Sequence, residues 1–348
     1  MIEDNVRCEP RTYMQSEAAG SSAAIRRLLA SNGSLLPPLV DRLHALDPKL
    51  VLLLGRGSSD NAAVYAKYLI ETRLNIITSH VAPSVSSLYH AEFDLPKTVC
   101  IAISQSGKSP DLVAAAENFR QSGAFIIAMV NCEKSPLADV ADYVIPLCAG
   151  SEVSVAATKS FITSLACIAD LIARWCNDQQ LSDDLGKLAD NLDRAWSLQW
   201  SSAAKRLTAA NNLYVLGRGV GLGIAKEIAL KLKETCAIHG EAYSSAEVLH
   251  GPAALIKNGF PILAISQNDA TLPGLTQNLV RLAERGANIF ATGVASPGIF
   301  NLPTVPTHPL LQPILSTIQS YRLIEAVSAA RAMNPDAPPN LQKVTETL

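Results

Sequence analysis

The sequence predicts an α/β protein with two tandem, doubly wound parallel sheets, each covered by helices on both faces in three αβα layers. Two observations predict this fold. Short apolar runs rich in β-branched residues alternate with helical segments, a pattern typical of parallel strands joined by right-handed crossovers. The same landmarks also occur twice, because Gly217 lies 162 residues after Gly55 and Ile265 lies 162 residues after Ile103. Two landmarks that share one offset favour a duplicated α/β unit.

The first half of the chain contains five predicted strands with helices between them. A helical segment is expected at residues 12–30, and the apolar run Leu50–Leu54 predicts the first strand, followed by a helix over residues 64–71. The run at residues 98–103 is apolar and uncharged, as expected of a strand that is buried on both faces. The remaining strands of this half are expected at residues 75–78, 124–130 and 143–147.

The second half repeats this order after a buried helix at residues 161–176 and a more polar helical connection at residues 181–207. Strands are then predicted at residues 213–216, which enter Gly217-Arg218-Gly219, and at residues 262–265. We therefore divide the chain into an N-terminal helical arm, a first domain, a helical connection, a second domain and a C-terminal tail, with the bounds 1–35, 36–178, 179–204, 205–332 and 333–348.

The composition is that of a folded protein without a strongly charged surface: 348 residues, 48% of them hydrophobic, and a formal net charge of −2. No basic patch indicates nucleic acid as a partner, and the charged, polar amino terminus excludes a signal peptide. The best candidate for a membrane span, residues 161–173, is interrupted by Asp170, so no membrane partner is expected. The seven cysteines form no C-x-x-C pair, which is typical of free thiols in a reducing compartment, and we expect a cytoplasmic protein.

The turn Ser104-Gln105-Ser106-Gly107-Lys108-Ser109 has the composition of an anion site. It lies between a buried strand and a helix that begins at Pro110, where unpaired backbone N–H groups and the positive end of the helix dipole collect. Hydroxyl groups and a carboxamide add further donors, so the turn suits a phosphate. The alternative is a serine-rich turn that only caps the helix. Ala102 stands where a Walker motif has its first glycine, which argues against an ATP-binding loop.

A second turn, Gly57-Ser58-Ser59, follows the first strand and is expected beside this one, because ligands of doubly wound sheets bind at the carboxyl ends of the strands. The predicted phosphate-binding residues of the two turns are Ser58, Ser59, Ser104, Gln105, Ser106 and Ser109. In the second half, Asn268-Asp269-Ala270-Thr271 stands where the first half has residues 106–109. The carboxylate of Asp269 would repel an anion, so we expect that this turn has lost phosphate binding.

The second half carries the candidate reactive groups. Lys231 and Glu234 are three residues apart and share a helix face, where a base and a proton-bearing partner could meet one substrate. An ordinary surface ion pair is the alternative. Glu247 and His250 also lie three residues apart, but without a third ligand they predict no metal site. The prolines of the tail exclude a helix, so the tail is either disordered or a lid that carries the amine of Lys343.

Together these segments resemble the SIS (sugar isomerase) family, whose domains are flavodoxin-like, and within it the isomerase half of glucosamine-6-phosphate synthase. The resemblance covers nearly the whole chain and rests on Gly57-Ser58-Ser59, Ser104-Gln105-Ser106-Gly107, Gly150-Ser151-Glu152, Ala157-Thr158-Lys159, Leu230-Lys231-Leu232-Lys233-Glu234, His250-Gly251-Pro252 and Leu341-Gln342-Lys343-Val344-Thr345. It implies that the serine-rich turns hold the phosphate of a sugar, with the backbone near Val155 helping.

The resemblance also implies roles for the reactive groups. Glu234 resembles the base that moves a proton between C1 and C2 of the sugar, and Lys231 resembles the group that serves the C1 oxygen. His250 resembles a ring-opening acid/base that reaches in from the partner subunit of a homodimer. Lys343 resembles the lysine of a closing tail. This set of residues implies neither a metal nor a redox cofactor.

Two departures from the family pattern bear on the reaction. The family's phosphate turn usually reads SQSGET, whereas this chain has Lys108 and Ser109 at the last two positions. The synthase also carries an N-terminal glutaminase domain, and Cys8, in a short polar arm, is no counterpart of its catalytic cysteine. The same proton transfer run in reverse, followed by hydrolysis of an imine at C2, is deamination. Residues 55–59 and 235–247 are similar to free-standing glucosamine-6-phosphate deaminases of the SIS family.

We therefore expect an enzyme that converts glucosamine 6-phosphate and water to fructose 6-phosphate and ammonia. The expected partner is a phosphorylated amino sugar, and two alternatives remain open. The substrate is galactosamine 6-phosphate or a glycated amine 6-phosphate in the first, and the chain is a sugar-phosphate sensor without catalysis in the second. The joint presence of Glu234, Lys231, His250 and Lys343 argues against a sensor, which needs only the phosphate turns.

Overall fold

Two parallel sheets form the framework of the chain, which a computed structural model describes from residue 12 to residue 343. Cys8, the beginning of the arm and the end of the tail therefore lie outside the described residues. The first sheet contains β1 Leu50–Leu54, β2 Ile77–His80, β3 Thr98–Ser104, β4 Phe125–Val130 and β5 Tyr143–Pro146. Its strand order is β2-β1-β3-β4-β5, and all four pairings are parallel.

The second sheet contains β6 Asn212–Gly217, β7 His239–Ser244, β8 Pro261–Ala264, β9 Asn288–Thr292 and β10 Ile299–Leu302. Its strands are also parallel and lie in the order β10-β9-β8-β6-β7. Counted within each half, the two sheets therefore share one strand order, that of flavodoxin-like folds. The predicted pair of tandem α/β domains is confirmed, while their origin by duplication and their bounds stay predictions.

Helices connect the strands and cover both faces of each sheet. In the first half they are α1 Tyr13–Ala19, α2 Ser21–Leu46, α3 Ser58–Arg73, α4 Pro83–Ser87, α5 Pro110–Gln121, α6 Pro136–Val140 and α7 Lys159–Trp175. The connection consists of α8 Gln179–Gly186, α9 Leu188–Ser197 and α10 Ser201–Thr208. The second half has α11 Gly221–Cys236, α12 Leu272–Glu284 and α13 Gln312–Ala330, with short 3-10 turns at Glu247–Leu249 and Pro252–Leu255.

One apolar core joins the two halves of the chain. Successive residues of a strand point to opposite faces, so Leu52 and Leu54 pack towards α5, while Val51 and Leu53 pack towards α3 and α7. The apolar cluster that contains Val51 and Leu53 continues without a break into α11, α13 and the inner face of the second sheet. The two sheets are therefore held together through a shared layer of helices.

Several predicted elements differ from the structure, among them the helix expected over residues 64–71, which begins earlier, at Ser58. The helix expected at residues 12–30 is two helices that meet at Gly20, and α2 continues through Pro37 and Pro38, although proline removes a backbone donor. The strand expected at residues 75–78 begins at Ile77, because Asn75 has a φ of 57° and leaves the extended region. The helical connection expected at residues 181–207 consists of three short helices over residues 179–208.

Gly223 allows α11 to pack directly against α3. A Cβ atom at this position would lie 2.6 Å from the carbonyl oxygen of Asn61 and 3.1 Å from the backbone nitrogen of Tyr65. The backbone of α3 cannot yield as a flexible side chain would, so only glycine permits this approach. The contact brings the amino end of α3, which begins at Ser58, next to the helix that carries Lys231 and Glu234.

We expect Gly223→Ala to destabilise the protein. An alanine usually stabilises a helix interior by about 0.5–1 kcal/mol relative to glycine, but here the overpacked contact should cost about 1–3 kcal/mol. Gly33→Ala is the matched control, since Gly33 lies in α2 and a Cβ there meets nothing within 4 Å. Thermal unfolding should show a lower midpoint for Gly223→Ala and an unchanged or higher one for Gly33→Ala. Equal midpoints for the two variants would contradict this reading of the contact.

Candidate functional site

A cavity of about 590 Å³ lies where the sequence predicts a ligand, at the carboxyl ends of β1 and β3. These two strands are neighbours at the point where the strand order reverses, the usual ligand position in a doubly wound sheet. Side chains of α11 and of the tail complete its wall. All predicted site residues except His250 line it: Ser58, Ser59, Ser104, Gln105, Ser106, Ser109, Val155, Lys231, Glu234 and Lys343.

The two serine-rich turns lie at the amino ends of α3 and α5. Gly107 has a φ of 64°, and a Cβ there would lie 2.2 Å from Oγ of Ser135, so the second turn requires glycine. Within this turn, the backbone N–H of Gly107 donates to Oγ of Ser104 at 3.0 Å, which fixes the curvature of the backbone. Lys108 is exposed and does not line the cavity. The turns therefore offer hydroxyl and backbone N–H donors to an anion.

Glu227 joins the two halves of the chain beneath the cavity. Its buried carboxylate accepts from Ser58 Oγ at 3.1 Å and from Asn61 Nδ2 at 3.0 Å, both on α3. It also accepts from the hydroxyl of Tyr321 on α13 at 3.0 Å. Nζ of Lys231 lies 3.6 Å from Oε1 of Glu227. The side chain of Glu227 thus contacts α3 at the first serine-rich turn, α13 and the candidate reactive lysine.

Lys231 lies between two carboxylates. Its Nζ donates to Oε2 of Glu234 at 2.6 Å, and the lysine is only 1% exposed, so this is not the ordinary surface ion pair considered as an alternative. Burial lowers the pKa of Lys231, but Glu227 and Glu234 outweigh that effect, and the pKa is raised above its usual value. Burial raises the pKa of Glu227, against the attraction of Lys231. The amine of Lys231 therefore stays protonated at neutral pH.

The tail crosses the edge of the cavity and is held there by hydrogen bonds and an ion pair. Nζ of Lys343 donates to the carbonyl oxygen of Ser154 at 2.7 Å and lies 3.4 Å from Oε2 of Glu152. Asp336 accepts from the first backbone N–H groups of α1 through its carboxylate, and its carbonyl oxygen accepts from the N–H of Val155 at 3.1 Å. The described part of the tail therefore lies along the edge of the cavity, and its role as a lid stays a prediction.

Glu152 is the buried anion that anchors this edge. Its Oε1 accepts from the backbone N–H groups of Thr158 and Ser160 at 3.0 and 3.1 Å, and its Oε2 accepts from Oγ of Ser160 at 2.6 Å. Burial raises the pKa of Glu152, but Lys343 and the donors at Ser160 and Thr158 outweigh it, so the pKa is lowered overall.

The corresponding turn of the second half is closed on itself. Asp269 accepts from the backbone N–H of Thr271 at 2.8 Å and from Nε2 of Gln267 at 3.1 Å. Nε2 of Gln267 also donates to the carbonyl oxygen of Arg218 at 2.8 Å. The carboxylate of Asp269 thus uses donors of its own turn, and the turn lines no part of the described cavity.

His250 lies apart from the cavity in the single chain. It is exposed between the two 3-10 turns, and its backbone N–H donates to the carbonyl oxygen of Glu247 at 2.9 Å. Its predicted entry into the cavity of a partner subunit stays a prediction. Glu247 is also exposed. Within residues 12–343, no three His, Cys, Asp or Glu side chains cluster as metal ligands would.

Three residues of the site had no role in the sequence analysis. Glu227 stands one helical turn before Lys231, a spacing from which a contact between the two could have been predicted. Glu152 and Arg56 lie in segments that carry the family resemblance, but no role could be assigned to them from the sequence, because their ionic partners, unlike the nearby donors to Glu152, are distant in the chain. Nε and Nη2 of Arg56, which lines the cavity, donate to Oδ2 of Asp111 at 2.9 and 2.7 Å and so tie the two serine-rich turns together.

Comparison with known proteins identifies a family pattern over most of the chain. A model of the SIS domain matches residues 46–174 and 206–294. A glutamine–fructose-6-phosphate aminotransferase (isomerizing) from Sulfurisphaera tokodaii is 32% identical over 341 residues, which cover 95% of this chain and 56% of that protein. The chain spans about half the length of the curated relatives it matches. Among the described residues, no helix is both long and apolar enough to traverse a bilayer.

Solved structures give the same result. A proposed phosphosugar isomerase from Silicibacter pomeroyi is 38% identical, with a TM-score of 0.90 over 94% of this chain and 100% of that one. The C-terminal domain of a glucosamine-fructose-6-phosphate aminotransferase from Francisella tularensis is 28% identical, with a TM-score of 0.86 over 94% and 98% of the two chains. A glucosamine-6-phosphate deaminase from Thermotoga maritima, 20% identical over 97% and 100% of the chains, shares the fold with a TM-score of 0.77.

We expect Glu152→Gln to lower the free energy of unfolding at pH 7 by about 1.5–3 kcal/mol, the contribution of a hydrogen bond to a charged group. Because the folded pKa of Glu152 is lowered, its contribution is fully present above the unfolded pKa of about 4.3 and is lost as the pH falls through the folded value. Unfolding midpoints between pH 7 and pH 3 should therefore converge for wild type and variant at low pH. Exposed Glu117→Gln is the control, and a constant difference at all pH values would contradict the assignment.

Proposed function

The chain belongs to the SIS domain family, and from that premise we propose that it is a phosphosugar isomerase that deaminates glucosamine 6-phosphate to fructose 6-phosphate and ammonia. One observation carries the proposal: the serine-rich turns line one cavity together with buried Lys231 and with Glu234, to which Lys231 donates. The turns suit a phosphate, and the pair suits proton transfer at the other end of the same sugar. The names of the similar proteins support a phosphosugar substrate.

The proposed reaction begins with opening of the sugar ring, for which His250 is the proposed acid/base. Glu234 then takes the proton from C2 of the aldehyde form while the C1 oxygen gains a proton, which gives an enolamine. Glu234 returns its proton to C1 while the amino group loses one, which gives an imine at C2. Water adds to the imine carbon. The hydroxyl proton of this adduct then moves to the nitrogen, so that ammonia leaves and the carbonyl group of fructose 6-phosphate forms. The ammonium of Lys231 lies beside Glu234, where it would stabilise negative charge on the C1 oxygen. Positioning and the charges of the site account for these steps.

The direction of the reaction depends on whether water or ammonia meets the imine, and water favours hydrolysis. The imine at C2 reacts with water unless ammonia is supplied at the site, and water reaches any open cavity. A sugar-phosphate sensor is disfavoured, because a lysine buried between two carboxylates is costly to desolvate and a sensor has no use for it. Galactosamine 6-phosphate and glycated amine 6-phosphates remain alternative substrates for the same chemistry.

Ammonia release tests the reaction and its substrate directly. The protein should release ammonia from glucosamine 6-phosphate faster than it releases ammonia from galactosamine 6-phosphate or lysine from fructoselysine 6-phosphate, and fructose 6-phosphate should form in an amount equal to the ammonia from glucosamine 6-phosphate. Preferred turnover of one of the other two sugars would assign the same chemistry to that substrate. No ammonia from either amino sugar phosphate would refute the deaminase proposal.

Glu234→Gln should lower kcat by about 10²–10⁴-fold, the usual contribution of a positioned general base. Binding of fructose 6-phosphate, measured by calorimetry, should change little, because the amide keeps the shape of the side chain and the serine-rich turns are untouched. Glu117→Gln, the same substitution at an exposed position of α5, should leave both quantities unchanged. Loss of turnover together with loss of binding would point to a structural role for Glu234.

Sharing of the site between subunits has its own test. His250→Ala and Glu234→Gln proteins should each be inactive, and a mixture that has exchanged subunits should regain part of the activity through hybrid sites. The expected ceiling is a fraction of wild-type activity, since only one of the two sites in a hybrid dimer has both residues. Confirmed subunit exchange without any rescue would contradict a shared site.

A further inference from the structure

The hydroxyl of Ser58 belongs to two parts of the site. Ser58 is the first residue of α3 and lines the cavity beside the predicted phosphate position. Its Oγ nevertheless donates to Oε1 of Glu227 at 3.1 Å, across the boundary between the two halves. Ser59, the next residue, lines the same cavity, and among the described residues it makes no such bond to Glu227. The two serines of one turn are therefore chemically distinct.

The ammonium of Lys231 lies near two carboxylates, those of Glu234 and Glu227. Its Nζ donates to Oε2 of Glu234 at 2.6 Å and lies 3.6 Å from Oε1 of Glu227. Oε1 of Glu227 is the atom that receives the hydroxyl groups of Ser58 and Tyr321. These two donors reduce the attraction of that oxygen for the lysine. As a result, Lys231 donates to Oε2 of Glu234, the proposed base, and occupies that oxygen.

We propose that Ser58 and Glu227 are positioning residues through which the bound phosphate group controls the proton-transfer pair. This inference rests on the proposed function of the cavity. A phosphate dianion is a stronger acceptor than a carboxylate that already has several donors, so the O–H of Ser58 turns from Glu227 to the phosphate. A buried acceptor that has lost a donor is costly, and the approach of the Lys231 ammonium restores its partner.

The movement of Lys231 changes the state of the proposed base, Glu234. When Lys231 moves towards Glu227, Oε2 of Glu234 is released and can accept the proton from C2 of the sugar. The ammonium stays beside the reacting carbons, where it faces the C1 oxygen. Phosphate binding and proton transfer are thus linked through a single chain of contacts, from Ser58 through Glu227 and Lys231 to Glu234. A substrate without a phosphate would find the base occupied.

A substrate divided into two pieces tests this linkage. The probe is exchange of the C2 hydrogen of glucosamine, which has no phosphate, with deuterium from the solvent, measured with and without inorganic phosphate. Saturating phosphate should accelerate exchange by the wild-type protein about tenfold or more, the size of one hydrogen bond to a charged group. Ser58→Ala removes the donor to Glu227 permanently, so its exchange without phosphate should rise and phosphate should add less than about twofold.

Ser59→Ala is the matched control, because it removes a hydroxyl from the same turn without touching Glu227. It should need more phosphate for half-maximal effect but should reach the same acceleration as the wild type. Glu227→Gln, in which a neutral amide cannot attract the ammonium, should exchange slowly whether or not phosphate is present. A general loss of structure would lower all rates together and would leave the acceleration by phosphate unchanged, so the ratio separates positioning from folding.

Three results would overturn the inference. They are a normal acceleration by phosphate in Ser58→Ala or Glu227→Gln, an equal loss of acceleration in Ser58→Ala and Ser59→Ala, and a wild-type protein that deaminates glucosamine 6-phosphate but is not accelerated by phosphate on glucosamine. The proposed function fails separately, if the wild-type protein does not act on the complete phosphorylated sugars.

Discussion

The packing of α3 against α11 is the constraint on which the candidate site depends. The serine-rich turns belong to the first half and the proposed reactive pair of Lys231 and Glu234 to the second, so neither half holds the complete candidate site. Gly223 lets the two helices approach to backbone contact, and the carboxylate of Glu227 accepts hydrogen bonds from Ser58 and Asn61 across that contact. Because the shared apolar core surrounds these helices, the distance between the serine-rich turn at Ser58 and Lys231 is fixed by packing.

The two halves use the same topology for different purposes. In the first, the turn after β3 presents its donors to a cavity. In the second, the equivalent turn after β8 supplies its own anion, because the carboxylate of Asp269 accepts from Thr271 and Gln267. The expectation that this turn would repel a phosphate thus has a structural counterpart: an internal carboxylate uses the donors that an external anion would need. The second half contributes through α11, which reaches the cavity of the first.

Local patterns predicted the type of fold and most of the residues that line the cavity. The apolar run that forms β1 has the predicted bounds, and the spacing of Lys231 and Glu234 placed both on one helix face. The role of Glu227 was not predicted, because its partners Ser58 and Tyr321 lie more than ninety residues away in the chain and no local rule joins them. The start of β2 was missed for a local reason, since the left-handed conformation of Asn75 depends on how α3 ends.

The most direct test of this account is a crystal structure of the Glu234→Gln variant with glucosamine 6-phosphate bound. The account predicts that the phosphate lies against Ser59 and Ser104-Gln105-Ser106, that the C1 oxygen of the sugar lies within hydrogen-bond distance of Lys231, and that C2 lies beside the side chain of residue 234. A sugar seated instead against Asn268 and Asp269, or one whose reacting carbons point away from α11, would contradict the division of the site between the two halves.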